Sequence, residues 1–327
     1  MIGQKSGSPQ GSSDVIIVSE KGSTPTDAVN QISTILGREL FWAHSKFTVL
    51  GENLAQSGTA LFIDASLRSN QTRPDIPLLI TKGTASSIIT SVTKNEKISA
   101  TSIERLLKEQ SIIGYSPVIS RLDFTNLLTG KSKAPIAAVI NFQDNDITGR
   151  NLELAGTAVF NKDKLIGYLN KNETRGLNWI RGKVKSGGLV ASLSDGSSIV
   201  FDIVKTKSKV YPVVTNGDIT MVIDIKEQGN IRETIANIDP MSKPELMDEL
   251  SKIQNKAIEH EINLVLQKAQ KELKSDIFDF AGAIHRDYPK VWKSIENNWD
   301  ETFPNIKIKI NVNSSIKRPG VISKPFR

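Results

Sequence analysis

The fold is decided by residues 152–182, which read LELAGTAVFNKDKLIGYLNKNETRGLNWIRG. Two apolar runs, at 157–160 and 165–169, flank the polar residues 161–164, a pattern typical of a strand, a tight turn and a second strand. Residues 172–182 follow with the spacing of a short helix. The stretch therefore predicts a β-hairpin that leads directly into a helix.

Short polar motifs lie on both sides of this hairpin, and hairpin geometry alone does not require them. For their residues we predict either a fold-critical turn or a contact with a partner protein, and the six candidates are Gly156, Thr157, Glu173, Thr174, Arg175 and Gly176. Glu173 and Arg175 could form an ion pair, although an exposed pair contributes little stability. The simpler interpretation of the second motif is a helix N-cap and a turn, and we favour the structural role.

Upstream of this stretch, strands and helices alternate. Ser23 or Thr24 can cap a helix that Gly37 ends, and a long apolar pattern over 52–68 predicts a second helix. Short β-branched or apolar runs predict strands at 15–19, 47–50 and 76–81. We therefore predict an N-terminal region, residues 1–148, of α/β or α+β packing.

Downstream, the pattern becomes that of a sheet followed by helices. Asp195-Gly196 and Asn216-Gly217 are strong hairpin-turn signals. They predict strands at 184–194, 197–205, 209–215 and 218–228. A helix capped by Ser242 continues to about Lys274, and an amphipathic strand at 306–312 returns to the sheet. The fold class is therefore α+β, and residues 149–327 are predicted to form an antiparallel sheet of about five strands covered by long helices.

Composition excludes several classes of protein. The 327 residues include 42 basic and 35 acidic side chains, a net charge of +7, and the excess lies in the second half. This charge favours an anionic surface such as a membrane or a cell-wall polymer, or simply solubility. There is no cysteine, which excludes disulfides, thiolate metal sites and cysteine nucleophiles. No apolar run approaches the length of about 18 residues that a membrane-spanning helix needs.

Catalytic motifs are missing from the sequence. The histidines, at 44, 260 and 285, stand apart, without HExxH spacing. There is no G-x-S-x-G elbow and no phosphate-binding glycine loop. The aromatic residues at 288, 292, 299 and 303 have helical spacing, which favours core packing over a nucleic-acid platform. We predict a protein that is not an enzyme, with no cofactor, no metal and no nucleic-acid partner.

Residues 156–182 strongly resemble the C-subunit family of the nutrient germinant receptors of spore-forming Firmicutes, of the GerAC, GerBC and GerKC type. The resemblance extends to RELFWAHSKFTVLGENLAQSG at 38–58, SLRSNQTRPDIPLLITKGTASSII at 66–89 and GKSKAP at 130–135. It covers essentially the whole chain. It implies a fold of three α+β domains, with the first half divided into two small subdomains.

The resemblance also implies a function. Members of this Ger(x)C family are non-enzymatic lipoproteins on the outer face of the spore inner membrane. They act with two integral membrane subunits, A and B, in a complex that senses small nutrients and signals spore germination. The resemblance supplies no catalytic residues.

The first residues depart from the family pattern. The family begins with a signal peptide and a lipid-bearing cysteine, whereas this chain begins MIGQKSGS. We therefore expect an N-terminal lipid anchor that this sequence does not contain, and an open sheet edge beside residues 15–19. The rival hypothesis is an exported binding module or enzyme of the cell wall or envelope.

Overall fold

The computed structural model describes residues 15–37, 40–68, 72–91, 99–130, 133–145, 149–193, 195–234 and 244–318. Its strands are β1 (Thr48–Gly51), β2 (Leu78–Thr81), β3 (Ile136–Asn145), β4 (Gly149–Asn161), β5 (Lys164–Leu169), β6 (Gly188–Ser192), β7 (Ser198–Thr215), β8 (Asp218–Thr234) and β9 (Lys307–Arg318). The Ser242 cap and the boundary residue 148 lie outside the described residues.

The helices precede, separate and follow these strands. They are α1 (Pro25–Leu36), α2 (Glu52–Ser57), α3 (Ala60–Arg68), α4 (Ala85–Ile89), α5 (Ser99–Ile113), α6 (Arg121–Thr129), α7 (Lys171–Ile180), α8 (Pro244–Gln267), α9 (Phe280–Asp287), α10 (Pro289–Ile295) and α11 (Trp299–Thr302). A π-helical segment, Lys268–Leu273, continues α8. The predicted α+β class is confirmed.

The first sheet has five strands in the order β1-β2-β3-β4-β5. β1, β2 and β3 run parallel, because helices connect them, whereas β4 and β5 follow as antiparallel neighbours. The predicted hairpin is confirmed as β4 and β5. It completes this first sheet, and the predicted boundary after residue 148 lies in the connection between the paired strands β3 and β4. The division into residues 1–148 and 149–327 stays a prediction.

The second sheet has four strands, in the order β6-β7-β8-β9, where we expected about five antiparallel ones. The predicted strands 197–205 and 209–215 form the single strand β7, because the polar residues between them pair with β8. β9 runs parallel to β8. That direction follows from the helices between them, which carry the chain back across the sheet before the last strand begins.

Two local predictions are wrong. Residues 15–19 lie in no strand, and Val15, Ile16 and Ile17 are exposed. The predicted helix over 52–68 is broken into α2 and α3 at Gly58, whose φ of +132° suits glycine alone. The predicted helix after Thr24 is confirmed: the Thr24 hydroxyl accepts a hydrogen bond from the backbone N–H of Asp27, and Gly37 ends the helix in the left-handed conformation.

The apolar core runs through both sheets and the helices between them. Trp292, Trp299 and Phe303 are buried, with 5.5 Å between the ring centroids of the two tryptophans. Core packing is thereby confirmed for three of the four predicted aromatic residues, whereas Tyr288 is only half-buried. In the first sheet, the Phe124 ring of α6 meets the Phe160 ring of β4 edge to face at 5.0 Å.

The Phe124–Phe160 contact gives a test of the core. Phe160 is fully buried, whereas Phe41 is 65% exposed. We expect Phe160→Ala to lower the free energy of unfolding by about 3–5 kcal/mol, because it leaves a cavity. Phe41→Ala is the matched control, and its effect should stay within about 0.5 kcal/mol. Urea denaturation followed by tryptophan fluorescence measures both; equal effects would contradict this packing.

A carboxyl group is buried in the second sheet. Glu227 of β8 is 1% exposed, and one of its oxygens, Oε2, accepts a hydrogen bond of 2.8 Å from Nε2 of Gln254 on α8. Burial raises the pKa of Glu227 from 4.5 to about 7. The folded protein therefore retains a proton that the unfolded chain releases across this pH interval.

Stability should accordingly fall as pH rises from about 4.5 to about 7, because the unfolded state binds fewer protons there than the folded state. We expect Glu227→Gln to remove part of that slope and to stabilise the protein above the interval. The matched control is Glu233→Gln, an exposed position of the same strand. Urea denaturation at several pH values measures the slopes, and an unchanged slope in Glu227→Gln would contradict the prediction.

Candidate functional site

Gly156 and Thr157 lie in β4 at an irregularity of the first sheet. The register with β3 shifts there, so that Ala155 and Gly156 together face Val139. Gly156 has a φ of +94°, and a Cβ atom at this position would lie 2.7 Å from the carbonyl oxygen of Leu169. Gly156 is therefore the glycine of a β-bulge, a feature that a glycine inside a strand pattern signals.

The second motif opens α7. The Asn170 side chain accepts a hydrogen bond of 2.9 Å from the N–H of Glu173, and Glu173 Oε2 accepts one of 2.7 Å from the N–H of Asn170. This reciprocal pair is a capping box. Glu173 thus holds the start of the helix, and the ion pair that we considered between Glu173 and Arg175 does not form.

Thr174 and Gly176 bring α7 against its neighbours. The Thr174 and Thr157 hydroxyls lie 2.9 Å apart, and both side chains are fully buried, so α7 is bonded to β4. A Cβ atom at Gly176 would lie 2.1 Å from the carbonyl oxygen of Glu261. Glycine at this position therefore allows α7 and α8 to approach closely.

Arg175 forms a buried ion pair with Glu261 of α8. The Arg175 and Glu261 residues are 5% and 6% exposed. Arg175 Nε donates to Glu261 Oε2 at 2.8 Å, and Nη2 donates to Oε1. Burial by itself lowers the pKa of Arg175, but the hydrogen bonds and the charge of Glu261 outweigh it and leave that pKa raised. The guanidinium therefore stays charged inside the protein.

The remaining bonds of this pair reach two further elements. Arg175 Nη1 donates to the Tyr115 hydroxyl at 2.8 Å and to the carbonyl oxygen of Gly188, in β6, at 3.0 Å. The Trp179 indole N–H donates to Glu261 Oε2 at 2.8 Å. We call Tyr115, Arg175, Trp179, Gly188 and Glu261 the α7 junction, since these residues connect α7 to α8, to β6 and to the segment after α5.

Sequence reasoning found Arg175 but missed its partners. Glu261 was not among the predicted site residues. A signal for it was present, because Leu250, Ile258 and Glu261 fall on one face of α8 by helical spacing and the first two are buried. Tyr115 and Trp179 had no comparable signal.

An open groove adjoins the junction. It has a volume of about 810 Å³ and is lined by residues of β6 and α8 together with Arg175 and Tyr115. Among the described residues, no group of three or more His, Asp or Glu side chains is placed to hold a metal ion. Within the same ranges, no helix is long and apolar enough to cross a membrane.

Comparison with known proteins identifies the family. A profile described as spore germination B3/GerAC like, C-terminal, matches residues 155–320, which is half of the chain, and one described as spore germination protein N-terminal domain matches residues 1–142. The chain belongs to the Ger(x)C spore germination family. The family predicted from the sequence is thereby confirmed.

Several Ger(x)C proteins of Bacillus subtilis (strain 168) resemble this one over nearly its full length. Spore germination protein YndF is 29% identical, over 94% of this chain and 75% of the relative. Spore germination protein B3 is 26% identical, over 98% of this chain and 84% of the relative. The crystal structure of the GerBC protein matches with a TM-score of 0.63 and 22% identity, over 89% of this chain and 84% of that one. This structural likeness supports the shared fold.

The α7 junction gives a stability test of this Ger(x)C protein. Arg175→Ala leaves the Glu261 carboxylate buried without its countercharge, and we expect a loss of about 3–5 kcal/mol in the free energy of unfolding. Replacing both charges, by Arg175→Met with Glu261→Leu, should recover part of that loss.

The matched control is Arg68→Ala. Arg68 pairs with Asp64 at 2.7 Å, but both side chains are mainly exposed, so its loss should cost less than about 1 kcal/mol. Thermal and urea denaturation measure all three proteins. If Arg175→Ala were no more destabilising than Arg68→Ala, the buried pair would not carry the stability that we assign to it.

Proposed function

We propose that this protein is a non-enzymatic C subunit of a nutrient germinant receptor, which takes part in spore germination through protein–protein contacts. The observation that carries the proposal is the match of both family profiles, in chain order, to residues 1–142 and 155–320. The relatives named for spore germination cover nearly the whole chain, which supports a role in the same process.

The chemistry of the buried polar residues around α7 fits a scaffold. Thr157, Thr174, Arg175 and Glu261 are all buried, and each bonds to another element of the same chain. Such bonds fix the relative positions of helices and strands. A protein whose buried charges are used in this way presents a rigid surface, which is what a subunit acting by contact needs.

We propose further that its partners are the A and B integral membrane subunits of the receptor, at the outer face of the spore inner membrane, where a lipid anchor holds the protein. The family resemblance supports these partners and this location. The net charge of +7 separately supports the location at a membrane, since a basic protein is attracted to an anionic membrane surface.

A germination assay tests the proposal. The gene is deleted in its spore-forming host, in a strain that lacks the other receptors of this type. Loss of optical density is then followed with nutrients and with a trigger that acts downstream of the receptors. We expect the response to a set of nutrients to be lost while the downstream trigger still works, because only the sensing complex is incomplete.

The control is restoration of the response by the intact gene. Arg68→Ala should restore it as well, since this exposed pair is expected to contribute little. Normal germination of the deletion strain with every nutrient would contradict the proposal. Defects of the spore wall with an intact nutrient response would instead favour the rival role, an exported protein of the envelope.

A further inference from the structure

An open groove lies between β6 and α8. We propose that it binds an extended, acidic segment of a partner protein, which adds to β6 as a further strand of the second sheet. This inference rests on the proposed function and names the surface through which the protein makes one of its contacts.

β6 is an edge strand with backbone groups that face the groove. The carbonyl oxygen of Gly188 accepts a hydrogen bond from Arg175, which lies on the side of β6 away from β7. This carbonyl group therefore points out of the sheet edge. The N–H of Leu193 is turned the other way, toward the carbonyl oxygen of Ser197. Since backbone direction alternates along an antiparallel strand, the N–H and C=O groups of Val190 and Ser192 also point outward.

These outward groups select the chemistry of the partner. A row of N–H and C=O groups at a strand edge is matched by the backbone of another extended chain, as in strand addition by peptides. The Val190 side chain beside them is 62% exposed. A bound strand would cover this apolar surface and satisfy the backbone groups at the same time.

The opposite edge of the same sheet is protected. On β9, the N–H of Ser314 donates to the side chain of Asn255 from α8, at 2.8 Å. The exposed positions of β9 include Lys307, Lys309 and Lys317, and charged side chains of this kind discourage the pairing of edge strands. The described part of β6 carries no charged side chain, so of these two edges β6 is the one suited to a partner.

The helical wall of the groove adds side-chain selectivity. α8 contributes the half-buried apolar residues Ile253, Ala257 and Leu264, which can receive alternate side chains of an extended segment. The exposed charged residues of the same wall are Lys252 and Lys256, with Glu249 as the one acidic member. Glu261, which also lines the groove, is neutralised by Arg175. The charge of the wall therefore favours an acidic segment.

The α7 junction fixes the two walls of the groove. Arg175 bonds to Gly188 of β6 and to Glu261 of α8 through one planar guanidinium. The strand edge and the helix are thereby held in place before a partner arrives. Such preorganisation lowers the entropic cost of binding.

The first test uses a defined probe, a capped eight-residue peptide of alternating glutamate and valine, with the full chain. We expect the peptide to bind and to protect the Ser192 amide from hydrogen exchange. Val190→Pro should abolish binding, because proline removes an outward N–H that takes no part in the β6–β7 ladder, a place where an edge strand tolerates proline. Val190→Thr is the matched control, which keeps the N–H and should bind as the original protein does.

The second test concerns charge. Lys252→Glu together with Lys256→Glu should weaken binding of the same peptide by roughly tenfold or more, since two favourable charges become unfavourable. The same change at two exposed lysines of α10, Lys290→Glu with Lys293→Glu, should leave binding unchanged. A peptide of alternating lysine and valine should bind less tightly than the glutamate peptide.

Three results would overturn the inference. The first is no binding of the glutamate peptide, or equal binding by Val190→Pro. The second is binding of phosphatidylglycerol vesicles that Lys252→Glu with Lys256→Glu abolishes but Val190→Pro leaves intact, which would assign the basic wall to the membrane. The third is dimerisation of the free chain that Val190→Pro prevents, which would assign β6 to a second copy.

The experiments distinguish a failure of the groove hypothesis from a failure of the proposed function. If the deletion strain loses its nutrient response, and Val190→Pro restores that response as fully as Val190→Thr does, the receptor role stands and the groove is not its contact. If the deletion has no effect on germination while the peptide results hold, the groove binds acidic strands but the proposed role is wrong.

Discussion

The packing of this structure depends on one buried ion pair, between the Arg175 guanidinium and the Glu261 carboxylate. Arg175 and Glu261 are almost completely buried, and the loss of hydration of such a pair is recovered only when nearly every donor and acceptor finds a partner. Tyr115, Trp179 and the Gly188 carbonyl supply those partners. The positions of α7, α8 and β6 depend on one another for this reason.

The hydrogen bonds around α7 connect elements of both sheets. α7 follows β5 of the first sheet directly, and its Thr174 bonds to Thr157 of β4. Gly176 lets α8 approach, and α8 leads through the last helices to β9 of the second sheet. The short segment around α7 therefore connects elements of the first sheet to elements of the second. The groove is a product of the same bonds, because its strand wall and its helical wall are both held by Arg175.

This arrangement offers a physical basis for the proposed role in protein–protein contact. The buried polar groups of the junction hydrogen-bond within the chain, whereas the groove beside them offers a strand edge and a helical wall with apolar and lysine side chains. These are features that recognise another polypeptide. The family assignment indicates the process, which is spore germination. The groove is the surface on which a partner can be tested.

Local patterns in the sequence determined much of this protein. The hairpin of β4 and β5, the capped helix α1, the long helix α8 and the buried aromatic residues near the C-terminus all follow from short-range periodicity and turn chemistry, as does the α+β class. Tertiary structure decided the rest. The hairpin joined the first sheet, the segment around Lys207 became part of one long strand, and β9 ran parallel to β8, because strand pairing depends on distant residues. The partner of Arg175 lies 86 positions along the chain, and only the close approach of two helices at Gly176 brings Glu261 to it.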